Sequence, residues 1–141
     1  MKGILFLCVA NSARSQMAEG IARSLMPPGA QVWSAGSNPT HVRSEAIAVM
    51  KEIGIDISGH ASKPVSDIPI AAVDTIITLC AEEVCPLVPG NVRRLHWALA
   101  DPAAVDGSQE DRLATFRMTR DEVRRRMEAF LADQNGVTRS S

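Results

Sequence analysis

One segment of the chain is dense in residues that can handle an anion: Cys8-Val9-Ala10-Asn11-Ser12-Ala13-Arg14-Ser15. A sulfur and a guanidinium six positions apart suit attack on a tetrahedral oxyanion. The sulfur would reach the central atom while the guanidinium forks two donors onto the oxygens. A tight loop that opens a helix turns successive backbone N–H groups into one concavity, and the helix dipole adds partial positive charge there. The same donors stabilise a thiolate as readily as an oxyanion. Ser15 can donate to the sulfur, and Asn11 can hold the loop through bonds from its side chain to the backbone. Taken alone, Cys-x5-Arg is a short pattern that recurs by chance, and Cys8 would then be a small buried hydrophobe. Two other phosphate loops are absent: there is no Gly-Lys-Ser/Thr and no Gly-x-Gly-x-x-Gly, so no nucleotide is indicated.

The elements around the segment decide how to read it. Residues 3–9 form a continuous apolar run followed at once by small and polar residues, the pattern of a buried parallel strand that ends in a loop. From Arg14 to Met26, Met17, Ile21, Ala22 and Leu25 fall at helical spacing, and Pro27-Pro28-Gly29 stops the element. A second strand is expected over Gln31–Ser34, leading to Ala35-Gly36. A second helix is expected over His41–Ile53, with Gly54 just past its end. Strands follow over Asp74–Cys80 and Val92–Trp97, the latter leading into Asp101-Pro102. The final helix spans Ser108–Asp133, with Phe116, Val123, Met127, Phe130 and Leu131 as its buried stripe. Alternating strands and helices imply a parallel sheet covered on both faces. Ligands of such sheets collect at the carboxyl ends of the strands, where Cys8, Ser34, Cys80 and the approach to Asp101 would lie.

Composition narrows the classes. A chain of 141 residues, 45% hydrophobic and 22% charged, is expected to form one domain over 1–141 with a frayed end from about residue 134. A formal net charge of -1 gives no footprint for nucleic acid or an anionic membrane. No apolar stretch is long enough to span a bilayer. Met1 to Cys8 looks superficially like a signal peptide, but its apolar run is short and Asn11, Arg14 and Glu19 follow where a cleavage site would stand. The expectation is a cytoplasmic protein. Three cysteines cannot form a fully paired secreted framework.

The motifs Cys8-x5-Arg14-Ser15, Asn11-Ser12 and Asp101-Pro102, in that order, resemble the low-molecular-weight protein tyrosine phosphatases. More specifically, the chain is similar to the arsenate reductases built on that fold. The resemblance runs over roughly residues 2–133. It includes Arg14-Ser15-Gln16-Met17-Ala18-Glu19-Gly20, Ser34-Ala35-Gly36, Thr78-Leu79-Cys80 and His96-Trp97. It implies an α/β three-layer sandwich with a four-stranded parallel sheet and helices on both faces. It also implies that Asp101 is a general acid protonating the oxygen that leaves.

Within that resemblance the cysteines separate two activities. A phosphatase needs one cysteine, because water completes its cycle. Reducing arsenic(V) to arsenic(III) needs two electrons, which two thiols supply by becoming a disulfide. The expected relay has Cys8 attack arsenate, Cys80 attack Cys8 and expel arsenite, and Cys85 take the disulfide from Cys80. An external dithiol then closes the cycle: thioredoxin, with glutaredoxin or a low-molecular-weight thiol as alternatives. Cys80-x4-Cys85 with a distant His96 supplies too few ligands for structural zinc, and no metal or tightly bound cofactor is expected. The chain has no Tyr, and Ala103-Ala104 follow Pro102 where a phosphotyrosine enzyme would carry aromatic residues. The rival readings are a phosphatase acting on phosphotyrosine or a small phosphoester, and a non-catalytic anion-binding or redox-sensing module.

Two departures from the family pattern stand out. Cys80 and Cys85 are closer in sequence than the corresponding pair in thioredoxin-linked members. Some members also hold potassium with residues matching Asn11, Glu19 and Ser34 and a carboxylate near Ser62-Lys63. Here Lys63 takes that place, so its ammonium is expected to neutralise Glu19 and potassium is not expected. His41 and His60 read as turn or cap residues, and Trp33 and Trp97 as core. Arg124-Arg125-Arg126, balanced by Asp121, Glu122 and Glu128, reads as a solvated helix face. A monomer is expected.

Overall fold

The computed structural model describes residues 3–80 and 92–134. Four strands, β1 (Gly3–Cys8), β2 (Gln31–Gly36), β3 (Thr75–Thr78) and β4 (Arg93–His96), form one parallel sheet in the order β2-β1-β3-β4. With neighbours on both sides and layers above and below, β1 is buried at every position, which is why its sequence is an unbroken apolar run. Three α-helices complete the main frame: α1 (Arg14–Leu25), α2 (Ser44–Lys51) and α3 (Gln109–Gln134).

Alternation along β1 divides the core in two. Ile4 and Phe6 join Ile77, Leu79, Met17, Ile21, Met50, Phe116 and Met127 under the three α-helices. Leu5 and Leu7 join Ala35, Ile76, Ile68 and Val73 on the opposite face. That face is covered by two single-turn 3-10 helices, Val65–Asp67 and Ile70–Ala72. Trp97 links sheet to helix, with its ring 6.4 Å from Phe6 and edge-on to Phe130 at 6.2 Å. This is the expected three-layer arrangement.

Element ends differ from the sequence reading in informative places. The second helix begins at Ser44 rather than His41, because the backbone N–H groups of Thr40 and Arg43 donate to Ala10 and Ser12 carbonyls instead of entering a helical ladder. It ends at Lys51, where Gly54, at φ +81°, donates to the Lys51 carbonyl and closes the turn. The second strand runs two residues further than expected, to Gly36, since Gly36 bridges to Pro64 and takes the Lys63 carbonyl as acceptor. The third strand stops at Thr78, although Leu79 still donates to the Leu7 carbonyl. The last helix starts with a reciprocal cap. The Asp111 N–H donates to Ser108 Oγ, and the Ser108 N–H donates to Asp111 Oδ2. Among the described residues no helix is long and apolar enough to cross a membrane.

Candidate active site

The loop after β1 is held from outside by its carbonyls. Val9 O accepts from Asn38 N at 2.9 Å, Ala10 O from Thr40 N at 3.1 Å, and Ser12 O from Arg43 N at 2.9 Å. Asn11 O accepts from Ser62 Oγ at 2.6 Å, and Ala13 O from the helical Met17 N at 2.9 Å. Five consecutive acceptors are thus satisfied. Among the described residues, the N–H groups of Val9 to Ala13 donate no hydrogen bond. The start of α1 likewise has no side-chain cap. An uncapped helix start behind a run of unspent backbone donors is an anion-binding arrangement.

Two backbone features give the loop this shape. Asn11 sits at φ +50°, in the left-handed region that Asn tolerates better than most residues. Gly36 lies directly beneath: a Cβ there would collide with Val9 O and come within 3.0 Å of Asn11 N.

The nucleophile candidate is at the end of a directed chain of hydrogen bonds. Asn11 Nδ2 donates to Ser15 Oγ at 2.7 Å, and Ser15 Oγ lies 2.9 Å from Cys8 Sγ, a bond the hydroxyl donates when the sulfur is a thiolate. Asn11 Oδ1 accepts from Lys63 N at 2.9 Å and from Gln16 Nε2 at 3.0 Å. Gln16 Nε2 also reaches Ala61 O at 3.0 Å, so Gln16 Oε1 is the acceptor facing His60 Nδ1 at 3.0 Å. His60 must therefore carry its proton on Nδ1. Every donor from His60 through Asn11 points toward Ser15 Oγ, the group beside the sulfur. Asn11, Ser15 and Gln16 are all fully buried, and Cys8 nearly so. Ser15 and Asn11 both lie in this chain, Ser15 against the sulfur and Asn11 against the Lys63 N–H. His60 and Gln16 were not expected in it. Their one sequence signal is that Gln16 follows Arg14-Ser15 on the first turn of the helix. Burial pushes the His60 imidazole below its ordinary value; Glu19 and Asp56 oppose this, while Arg23 and Lys63 add to it.

Arg14, 4% exposed, donates from NH1 to the Leu99 carbonyl at 2.9 Å, and its NH2 lies 4.0 Å from Asp101 Oδ2. The Asp101 side chain is 42% exposed, and its other oxygen, Oδ1, accepts from Ala103 N at 2.9 Å. Pro102 sets the 3-10 turn that supplies this donor. The guanidinium and the carboxyl thus stand side by side at the open end of the cradle, one buried and one wet.

Behind the loop, Glu19 is buried with two cations and a hydroxyl. Ser34 Oγ donates to Glu19 Oε1 at 2.6 Å, Arg23 Nε donates to Oε2 at 3.0 Å, and Lys63 Nζ stands 3.9 Å from Oε1. Lys63 does face Glu19 as expected, but its ammonium donates to Ala61 O at 2.9 Å. Arg23, four residues along the same helix, is the closer counter-charge and was not anticipated.

The cysteines divide. Cys8 is a free thiol, whereas Cys80 is disulfide-bonded. Both are buried, Cys80 one residue past Leu79 on the same sheet edge as Cys8. Cys85 lies outside the described residues. His41 is exposed, and among the described residues no hydrogen bond ties its side chain to the cradle.

A buried Cys-x5-Arg loop thus stands between strand and helix, with an Asp-Pro turn beside the arginine. The model of the low molecular weight phosphotyrosine protein phosphatase family matches residues 3–139, and the chain belongs to that family. An arsenate reductase of Halalkalibacterium halodurans is 43% identical over 131 residues, spanning 92% of this chain and 94% of its own. A solved structure described as an arsenate reductase in the phosphate binding state aligns with TM-score 0.80 at 37% identity, covering 94% of this chain and 98% of that one. A thioredoxin-dependent arsenate reductase of Corynebacterium glutamicum aligns with TM-score 0.64 at 28% identity, covering 92% of this chain and 63% of that one.

Proposed function

We propose that this protein is an arsenate reductase that works through Cys8 and an internal disulfide relay. The observation that carries the reading is the cradle: a buried sulfur within hydrogen-bond reach of the Ser15 hydroxyl, ringed by backbone N–H groups with no described acceptor and flanked by Arg14. Relatives that share most of this chain's length are arsenate reductases, and one is seen in a phosphate binding state.

In the proposed sequence the loop N–H groups and Arg14 hold arsenate, and the Cys8 thiolate attacks arsenic. An arsenic-bound oxygen leaves as water, taking a proton from Asp101. The sulfur of Cys80 then attacks Cys8 Sγ. A sulfur–sulfur bond forms, the sulfur–arsenic bond breaks, and its electron pair leaves with arsenic as arsenite. Cys85 attacks Cys80 and frees Cys8. A free Cys8 beside a disulfide-bonded Cys80 fits the enzyme after that last exchange. An external dithiol, with thioredoxin preferred, returns the relay to its reduced form.

Purified protein given arsenate and thioredoxin with its reductase should produce arsenite, and both Cys8→Ser and Cys80→Ser should abolish it. Turnover surviving in Cys80→Ser would exclude the relay. Hydrolysis of a phosphoester without arsenite formation would favour the phosphatase. Because Arg23 and Lys63 both face Glu19, a further cation there has no charge left to neutralise, and rates should be equal in sodium and potassium salts.

A further inference from the structure

We propose that the cleft between β4 and α3 binds a small aromatic oxyanion, at a site separate from the Cys8 cradle. The cleft has a volume of about 360 Å³, in the range of small-molecule pockets. Its walls come from Arg93, Leu95 and Trp97 on the edge strand and from Arg125, Arg126 and Phe130 on the helix. It shares no residue with the cradle, and β3 stands between them in the sheet.

Two chemistries meet there. Leu95, Trp97 and Phe130 give an apolar aromatic surface, and three guanidiniums surround it. Arg93 lies over the Phe130 ring, its central carbon 5.4 Å from the centroid, and makes no ion pair with any described residue. Arg125 forks onto Glu122 and Arg126 donates from Nε to the same carboxylate, so two positive charges share one negative. Asp133 is the one acidic residue among the lining. The site therefore carries net positive charge above a ring-lined floor. A flat ring bearing a sulfonate, carboxylate or phosphate satisfies both, stacking beside Trp97 while its oxyanion meets Arg93. An inorganic oxyanion leaves the aromatic surface unused, and a neutral ring leaves Arg93 unmet.

The test is an NMR titration of the full-length protein with benzenesulfonate, in excess inorganic phosphate to occupy the cradle. The Trp97 indole N–H signal should shift and saturate in the millimolar range while that of Trp33 stays in place. Arg93→Ala should weaken binding about fivefold or more, as removal of an exposed charge-assisted contact does. The neutral benzenesulfonamide should bind far more weakly. Arg93 is exposed, so the variant is expected to fold, which an otherwise unchanged spectrum checks. An unmoved Trp97 signal, equal binding of the sulfonamide, or undiminished affinity in Arg93→Ala would each overturn the proposal. None of these readouts depends on arsenate turnover.

Discussion

Arginine serves two opposite purposes in this fold. At the cradle, Arg14 is 4% exposed, held by the Leu99 carbonyl, and placed beside a loop whose carbonyls are all tied down from behind. Along α3, Arg117, Arg124, Arg125 and Arg126 form pairs with Glu52, Glu128 and Glu122 in largely open solvent. The first is buried and directed by the Leu99 carbonyl, with the Asp101 carboxylate beside it. The second group is held by one or two partners each, in a medium that screens them. Position, not residue type, separates a buried guanidinium at the proposed site from those on a solvated helix face.

The sharpest way to break that contrast is Arg14→Lys. Lysine keeps the charge but loses the planar fork, so one oxyanion donor disappears or is misaimed. Removing one such donor typically costs about 10²- to 10³-fold in rate. We expect kcat/KM for arsenate to fall by roughly that factor, about 3–4 kcal/mol, with an unchanged melting curve. A rate within a fewfold of the parent would mean that Arg14 contributes only bulk charge.

Next in size is the cost of disturbing the loop itself. Asn11→Ala leaves the Lys63 N–H without its acceptor, removes one of three acceptors of Gln16 Nε2 and the donor to Ser15 Oγ, and places alanine at φ +50°. A loss of about 2–4 kcal/mol in urea unfolding is expected from buried groups left unmet. Asn11→Gly loses the same bonds but not the backbone conformation, and should recover about 1 kcal/mol of that loss. Equal stability of the two variants would show that the positive φ carries no strain.

How much of this was legible beforehand depends on sequence distance. The strand, the loop and the start of α1 are contiguous, so Cys8, Arg14, Ser15 and Asn11 could be read together with their chemistry. The chain from His60 through Gln16 bridges 44 positions, and Ser62 reaches Asn11 across 51. No periodicity encodes such contacts, and they surface only when the sheet brings residues 60–63 behind the loop. The misplaced start of the second helix has the same origin. Residues 38–43 carry no strong helix breaker after Pro39, and it is their bonds to loop carbonyls that keep them extended. Asp101 was legible through the resemblance, but its pairing distance to Arg14 was not. The basic cleft was hidden because Arg93 lies on an edge strand some thirty positions before the arginines it joins.

A smaller effect should come from His60. Its imidazole is held below its ordinary value by burial, so the folded protein resists protonation that the unfolded chain accepts near pH 6.5. The unfolded state therefore binds more protons in the window below 6.5. The stabilisation tied to neutral His60 is fully present above that value and is lost as pH falls through it. His60→Gln keeps an N–H donor for Gln16 but cannot titrate. Urea midpoints measured on both proteins should diverge as the pH is lowered past 6.5, with the variant falling less steeply. Parallel curves would remove His60 as a contributor.

The smallest effect is predicted where the interactions look most numerous. Glu122 accepts from both Arg125 and Arg126, and its carboxyl is drawn down to about 2 by their hydrogen bonds. In a buried site such a shift would signal a large stake in folding. Here the carboxylate is only half-buried at the surface, two arginines compete for it, and little is lost when they separate, so screening takes most of the shift away. Glu122→Gln should leave the melting temperature within about two degrees of the parent at physiological salt, and closer still at high salt. The sign for pH follows from the lowered value: whatever stabilisation Glu122 gives is present above 4.5 and is lost only as pH falls toward 2. A melting temperature that dropped as far as in Asn11→Ala would mean that the helix face is as tightly determined as the cradle, and the contrast between the two arginine environments would collapse.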